Sequence, residues 1–234
     1  MSGGNGGGLI LGDVGQLVDP RSPIRVRVDI DGAQASQLDA IAFCANAIDL
    51  LYRRLANALL AADRDVQAEE VLPDAWGMID WVHRLDGLVE RCRGLSGKSE
   101  AVIEYRNASP LVENHRHAIQ HLEGIIPVLV ASGRSPWGHL CWTVRIPPGP
   151  DGNKRFEMRA VGGSLRGAVE PTFRLPAIQT PRGPIDYVSL YAADGETEIG
   201  LTGQHDALTR FVRKLEASAA TAQPNAKGIL ILRP

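Results

Sequence analysis

Residues 109–133, SPLVENHRHAIQHLEGIIPVLVASG, divide the chain into two kinds of patterning. Up to this segment apolar residues recur at steps of three and four, as one face of a helix requires. Beyond it they alternate, or cluster in short runs bounded by Gly, Pro and Asp, as strands require. A chain ordered in this way is expected to be α+β: an N-terminal up-and-down helical bundle, then a small, mainly antiparallel β-rich domain with one helix. The expected divisions are a flexible Gly-rich N-terminus over 1–22, the bundle with a leading strand over 23–132, and the β-rich domain over 133–234. A chain of 234 residues, 44% apolar and 22% charged, has enough material for a core in each part.

In the helical half, residues 24–30 (IRVRVDI) alternate apolar and charged side chains and predict a half-exposed strand. Asp31-Gly32 turns the chain. From 33 to 62, Leu38, Ile41, Ala45, Ile48, Tyr52, Leu55 and Leu59 form one stripe, which predicts a helix about 45 Å long. Gln34, Asp39, Asp49, Arg53 and Arg54 fall off that stripe. Pro73-Asp74 predicts the start of a second helix, with Met78, Ile79, Val82, Leu85, Leu88, Val89 and Cys92 inside and Gly94 and Gly97 at its end. Trp76 and Trp81 are expected in packing; Asp80, His83 and Asp86 could point toward a site, with a solvated helix face the leading expectation. A short helix is predicted over 99–105. Ser109 and Pro110 then start the long helix, whose inward residues are Leu111, His115, Ala118, Ile119, Leu122, Ile125, Ile126 and Leu129. Pro127 removes a backbone donor, so a bend or break is expected near 124–127.

In the second half, residues 138–146 (GHLCWTVRI) and 155–161 predict strands joined by a PPGPDGN turn, and 172–178 a further extended piece. Residues 185–192 and 197–202 flank Ala193-Asp194-Gly195-Glu196, a hairpin signal. Residues 204–219 predict a helix, in which His205 and Asp206 stand near the start. Residues 228–232 (GILIL) predict a short buried strand.

Several chemistries lack their sequence signature. Cys44, Cys92 and Cys141 are widely spaced with no CxxC, and are expected to be small buried hydrophobes. Neither GxGxxG after a strand, nor GxxxxGK[ST], nor GxSxG occurs, and no cofactor is expected. The acidic residues around the hairpin lack the EF-hand spacing. The net charge of -2 withholds the basic surplus of a coat protein for nucleic acid or of a membrane-surface binder. That charge is uneven, with 12 Lys+Arg against 18 Asp+Glu over 1–132, and 13 against 9 over 133–234. No charged segment leads into an apolar run at the N-terminus and no run is long enough to span a bilayer, so a cytoplasmic protein without a membrane partner is expected.

The long helix holds three of the six histidines within seven residues. At 100° per residue His115 falls on the core stripe, whereas His117 and His121 share another side. Glu113, His117 and His121 follow one line and define one alternative, a metal-dependent hydrolase; a solvated helix face gives the same spacing. The other pairing is Arg116 with His121, an R-x4-H pair with His117 as the polar residue after the arginine.

The run ENHRHAIQH over 113–121 resembles the motif helix of the HEPN superfamily. The helix pair before it is similar to the bundle that presents that motif; the likeness covers about 34–132. The resemblance implies metal-independent RNA cleavage with no metal or other cofactor. His121 would move the proton, Arg116 would clamp the phosphate, and His117 would orient the pair or touch RNA. The chemistry is consistent: a histidine near neutral pKa takes the 2′-OH proton or protonates the leaving oxygen, and a guanidinium stabilises the phosphoryl charge. Arg116 and His121 stand about 140° apart on an ideal helix, and the family usually builds a composite cleft from two motif helices. A homodimer through the bundle is therefore expected, acting as an endoribonuclease or RNA-binding protein of the toxin–antitoxin or defence kind, with a cognate antitoxin as partner. The rival expectation is a non-catalytic dimeric interaction protein.

Overall fold

The computed structural model describes residues 15–61, 66–108, 110–131, 135–163, 180–193 and 197–234. The fold is α+β, with six helices ahead of a four-stranded antiparallel sheet and a seventh helix after it, among the described residues. The 1–8 segment, Ser109, the 172–178 strand and the hairpin tip at 194–196 lie outside those residues.

Helix α1 (Pro23–Val26) replaces the strand expected over 24–30. The Ser22-Pro23 pair is a helix start: the Ser22 hydroxyl accepts from Ile24 N at 3.4 Å, and Pro23 occupies a position that needs no donor. The alternation is also not used as a strand uses it. Ile24 is buried while Val26 and Val28 are exposed. Arg27 then donates to the carbonyls of Ala219 (2.8 Å) and Ala222 (2.9 Å), closing the far end of the last helix.

Helix α2 (Gly32–Ala61) and helix α3 (Ala68–Arg91) pack along each other and form the centre of the bundle. Leu38, Ile41, Ala45, Ile48, Leu55 and Leu59 of α2 are fully buried, as the stripe predicts. Helix α3 begins five residues before the expected start and carries Pro73 inside it. Pro73 deletes a bond to the carbonyl of Glu69, but both residues are exposed, so water takes that acceptor at small cost. Trp76 and Trp81 pack partly buried against the core, as expected.

Helix α4 (Glu100–Asn107) stacks Tyr105 on Phe211, with ring centroids 5.2 Å apart. The long helix is two pieces, α5 (Val112–Gln120) and α6 (Leu122–Ala131), with a turn at His121. The break was expected at 124–127 and falls upstream of it. A proline ring displaces the carbonyl four residues earlier, here that of Glu123, so the distortion is passed to the preceding turn. There Gly124 N bonds His121 O at 3.1 Å, a three-residue closure.

Strands β1 (His139–Ile146), β2 (Arg155–Gly162), β3 (Ile185–Tyr191) and β4 (Glu198–Gly200) pair in the order β2-β1-β3-β4. The expected strand over 197–202 shrinks to three residues, because Leu201 and Thr202 already open helix α7 (Leu201–Thr221). β1 pairs Cys141 with Ser189 and Thr143 with Asp186, so Tyr187 and Val188 together oppose Trp142. Tyr187 takes φ +52° at this bulge, a left-handed conformation rare for an aromatic residue.

One core runs through the molecule. The buried faces of α2 and α3 continue into Leu140, Trp142 and Val144 of β1, Val188 and Leu190 of β3, and Leu208, Phe211 and Leu215 of α7. The GILIL segment does not join the sheet. Leu232 bridges Leu95 beyond the end of α3, and Leu230 bridges Pro224. Gly94, at φ +73°, lets the Leu230 carbonyl come so close that a Cβ there would lie 1.9 Å from it.

Candidate functional site

The motif helix places its polar residues in three environments. His115 is buried, and its Nδ1 bonds the Leu111 carbonyl at 3.2 Å, one turn back. His117 and His121 are exposed and face each other, ring centroids 4.4 Å apart at 58°. Arg116 points to α3 instead. Its Nε donates to Asp80 Oδ1 at 3.1 Å, while Arg84 Nε donates to Asp80 Oδ2 at 2.8 Å. Burial pushes the Asp80 carboxyl up, but the two guanidiniums outweigh it and hold the group below the usual carboxylate range. The structure thus brings His117 and His121 together and directs Arg116 to a different partner. Among the described residues no three His, Cys, Asp or Glu side chains gather as metal ligands; Glu113, His117 and His121 do not form such a group.

Arg116 reaches the edge of a groove of about 1200 Å³. Phe43 and Cys44 of α2, Trp81, Arg84, Asp86 and Arg91 of α3, Arg106 at the end of α4, and Glu113 of α5 share its wall. Phe43 is 56% exposed and meets Trp81 edge-on at 5.5 Å; Arg84 lies over the Trp81 ring at 5.4 Å. The groove is therefore lined by two aromatic rings, by the guanidiniums of Arg84, Arg91, Arg106 and Arg116, and by the carboxylates of Asp39, Asp86, Glu90 and Glu113.

Asp86 is not on a solvated face, as its spacing suggested. Its Oδ1 is sealed from solvent and accepts no hydrogen bond from any described residue. Burial pushes its pKa up to about 6; Arg106 pulls the value down and Glu90 pushes it further up. Near it the fully buried Tyr105 hydroxyl also has no partner among the described residues. Burial, with the negative charge of Asp86 nearby, holds that phenol well above its ordinary range. Leu85, beside Asp86 in sequence, and Val89, three residues on, are core residues. A carboxylate one step from an apolar stripe is the signal that could have marked it.

A second polar cluster joins α2, β3 and α7. His205 Nε2 meets Asp49 Oδ1 at 2.9 Å, and Arg53 pairs with Asp49 Oδ2. Tyr52 stacks on the imidazole, with centroids 4.2 Å apart at 16°, and its hydroxyl meets Thr202 Oγ1 at 2.9 Å. Thr202 Oγ1 also accepts from Val188 N at 3.0 Å, beside the bulge. Asp206, the sequence neighbour, pairs with Arg182 at 2.9 Å. This cluster sews three elements together, and sequence spacing gave no hint of it.

The three cysteines are buried free thiols, as expected. Burial raises Cys44, and raises Cys92 to about 11 and Cys141 to about 12, which removes them as nucleophiles near neutral pH. No helix among the described residues is long and apolar enough to cross a membrane. Compared with protein-family models, curated proteins and solved structures, the chain has no significant match.

Proposed function

We propose that this is a HEPN-like RNA-binding protein that cleaves RNA without a metal as a homodimer, in the manner of a toxin or defence ribonuclease held by a cognate antitoxin. The observation that supports it is the position of Arg116. It lies on the rim of a groove whose wall mixes further arginines and the exposed Phe43 ring with carboxylates, so that the phosphates of a single strand can meet cations and a base can stack. The Asp80–Arg116 pair is more than a quarter exposed on both sides, so it is weak and a phosphate can displace Asp80. The solvent-facing His117 and His121 pair supplies two imidazoles for proton transfer, and a second motif helix brings the partner's arginine to them. Cleavage of a mixed RNA pool in EDTA, lost in Arg116→Ala and His121→Ala proteins that remain folded, is the expected result. An inert pure dimer would remove the catalytic part of the reading.

The separation of Arg116 from His117 and His121 within one chain favours a second reading, a non-catalytic protein that uses the same bundle face as a dimer platform. That reading predicts a stable dimer with no RNA cleavage and no change in partner binding in His121→Ala.

A further inference from the structure

The proposal above concerns the rim of the groove; the wall inside it carries an independent anomaly. Asp86 Oδ1 on that wall, and the Tyr105 hydroxyl near it, are each out of reach of solvent with no hydrogen-bond partner among the described residues. An unmade bond of this kind is expensive, and native proteins hold few of them. Asp86 is also beside Arg106, whose exposed guanidinium makes no hydrogen bond with any described residue. A carboxylate that only packed the bundle would be better replaced by its neutral amide, which loses no volume and carries no charge to desolvate. Keeping the charge makes sense if a ligand completes it.

From these groups, and resting on the reading of the groove as a single-strand RNA site, we propose that Asp86 reads a guanine base there, with Arg106 on the adjoining phosphate. A carboxylate is acceptor-only. The Watson–Crick edge of guanine offers two neighbouring N–H donors, the imino and the exocyclic amino group, at the spacing of two carboxylate oxygens. Adenine offers one donor beside an acceptor that a carboxylate repels, and uracil one donor between two acceptors. Unstacked bases in single-stranded RNA are recognised on this edge. Binding requires the side chain to turn about χ1 and χ2 so that the sealed Oδ1 comes to the groove beside Oδ2. Phe43, 56% exposed on the same groove, provides stacking surface for a neighbouring base.

The test separates binding from cleavage. Isothermal titration of the full chain uses 2′-O-methyl oligonucleotides UUGUU, UUIUU and UUAUU, which cannot undergo attack by a 2′-oxygen, together with free GMP and IMP. Inosine lacks only the exocyclic amine. The expected result is that UUGUU binds roughly tenfold or more tightly than the other two strands. Asp86→Asn abolishes the preference while raising Tm by several degrees, so the loss is not unfolding. Arg106→Gln weakens all three strands alike. A preference for GMP over IMP as strong as that between the strands assigns the site to free nucleotide; a preference confined to the strands assigns it to RNA. Equal affinities, no binding at all, or a guanine preference that survives Asp86→Asn would overturn the proposal. Asp86→Ser replaces the amide variant if that protein does not fold. Guanine-selective binding with no cleavage of unmodified RNA leaves this inference standing and removes the catalytic reading; cleavage with no base preference does the reverse.

Discussion

The imidazole of His205 sits 2.9 Å from the carboxylate of Asp49, across 156 residues of chain, and clamps the last helix to the first long one. The Asp49 side chain is only 8% exposed and that of His205 18%, so each is costly to leave alone. Removing His205 leaves Asp49 Oδ1 without its partner while Arg53 keeps Oδ2, and also removes the ring that stacks on Tyr52. His205→Ala is expected to cost about 2–3 kcal/mol, and Asp49→Asn less, because the amide oxygen still accepts. Urea unfolding of the single and double variants measures the coupling; additive losses would show that the two residues do not act as a pair.

Asp86 predicts a pH-dependent stability opposite to that of most native carboxylates. Its folded pKa, near 6, lies above its unfolded value, so the native state binds the proton more tightly. Stability then falls as pH rises from about 4 to about 6, and the penalty is complete above that window. Its size is about 2 kcal/mol after allowance for partial exposure. Asp86→Asn is expected to flatten this window, with unfolding curves that converge with those of the parent protein near pH 4. A variant equally pH-sensitive over 4–6 would assign the effect elsewhere.

The motif helix should separate function from stability. Arg116→Ala breaks a half-exposed ion pair and His121→Ala removes an exposed ring, so each is expected to cost under about 1 kcal/mol. His115→Ala empties a buried position and is expected to cost about 2–4 kcal/mol. Thermal melts of the three proteins, read beside RNA cleavage, show whether the activity follows Arg116 and His121 independently of the fold.

The C-terminal segment is tied down by one amide. Gln34 Nε2 donates to the carbonyls of Arg93 (2.7 Å) and Leu230 (2.8 Å), and its Oε1 accepts from Leu230 N (2.8 Å). Gln34→Leu takes the side-chain partner from both Leu230 backbone groups and leaves the Arg93 carbonyl only the Cys92 thiol, with an expected loss of about 2–3 kcal/mol. Gly94→Ala drives a Cβ into the Leu230 carbonyl and should release the same segment. Hydrogen exchange at Leu230 and Leu232 reports the release; protection unchanged in both variants would show the segment to be held by other contacts.

Dimerisation is checked by light scattering at micromolar concentration. A dimer is the expected species, and a monomer would remove the composite cleft on which the cleavage mechanism rests.

The regular elements were legible because each is a local pattern. The stripe from Leu38 to Leu59 defines α2, and short runs rich in apolar residues and bounded by Gly, Pro and Asp turn signals mark β1, β2 and β3. Local pattern misled where a weak preference met a strong boundary. The alternation over 24–30 yields to the Ser22-Pro23 helix start, and Pro73 lies within α3 because its lost acceptor faces water. Of the candidate site, the residue types on α5 were legible, but their directions were not. Arg116 turns toward Asp80, a residue of another helix, and no spacing within α5 records that.

The sequence by itself determined the order of elements, the apolar faces they bury, and the isolation of His115 from His117 and His121. Those follow from the angular step of the backbone and from what water excludes. Only the tertiary structure decided which polar groups are sealed and with whom. Gln34 and Asp49 fall off the helical stripe, yet both are buried because the C-terminal segment and α7 cover them. Asp86 Oδ1 and the Tyr105 hydroxyl have no partner among the described residues, Tyr105 because its ring is packed into the core against Phe211 of α7. Burial of a polar atom depends on what arrives from far along the chain, and a hydrogen bond between residues 156 positions apart leaves no trace in the spacing of either.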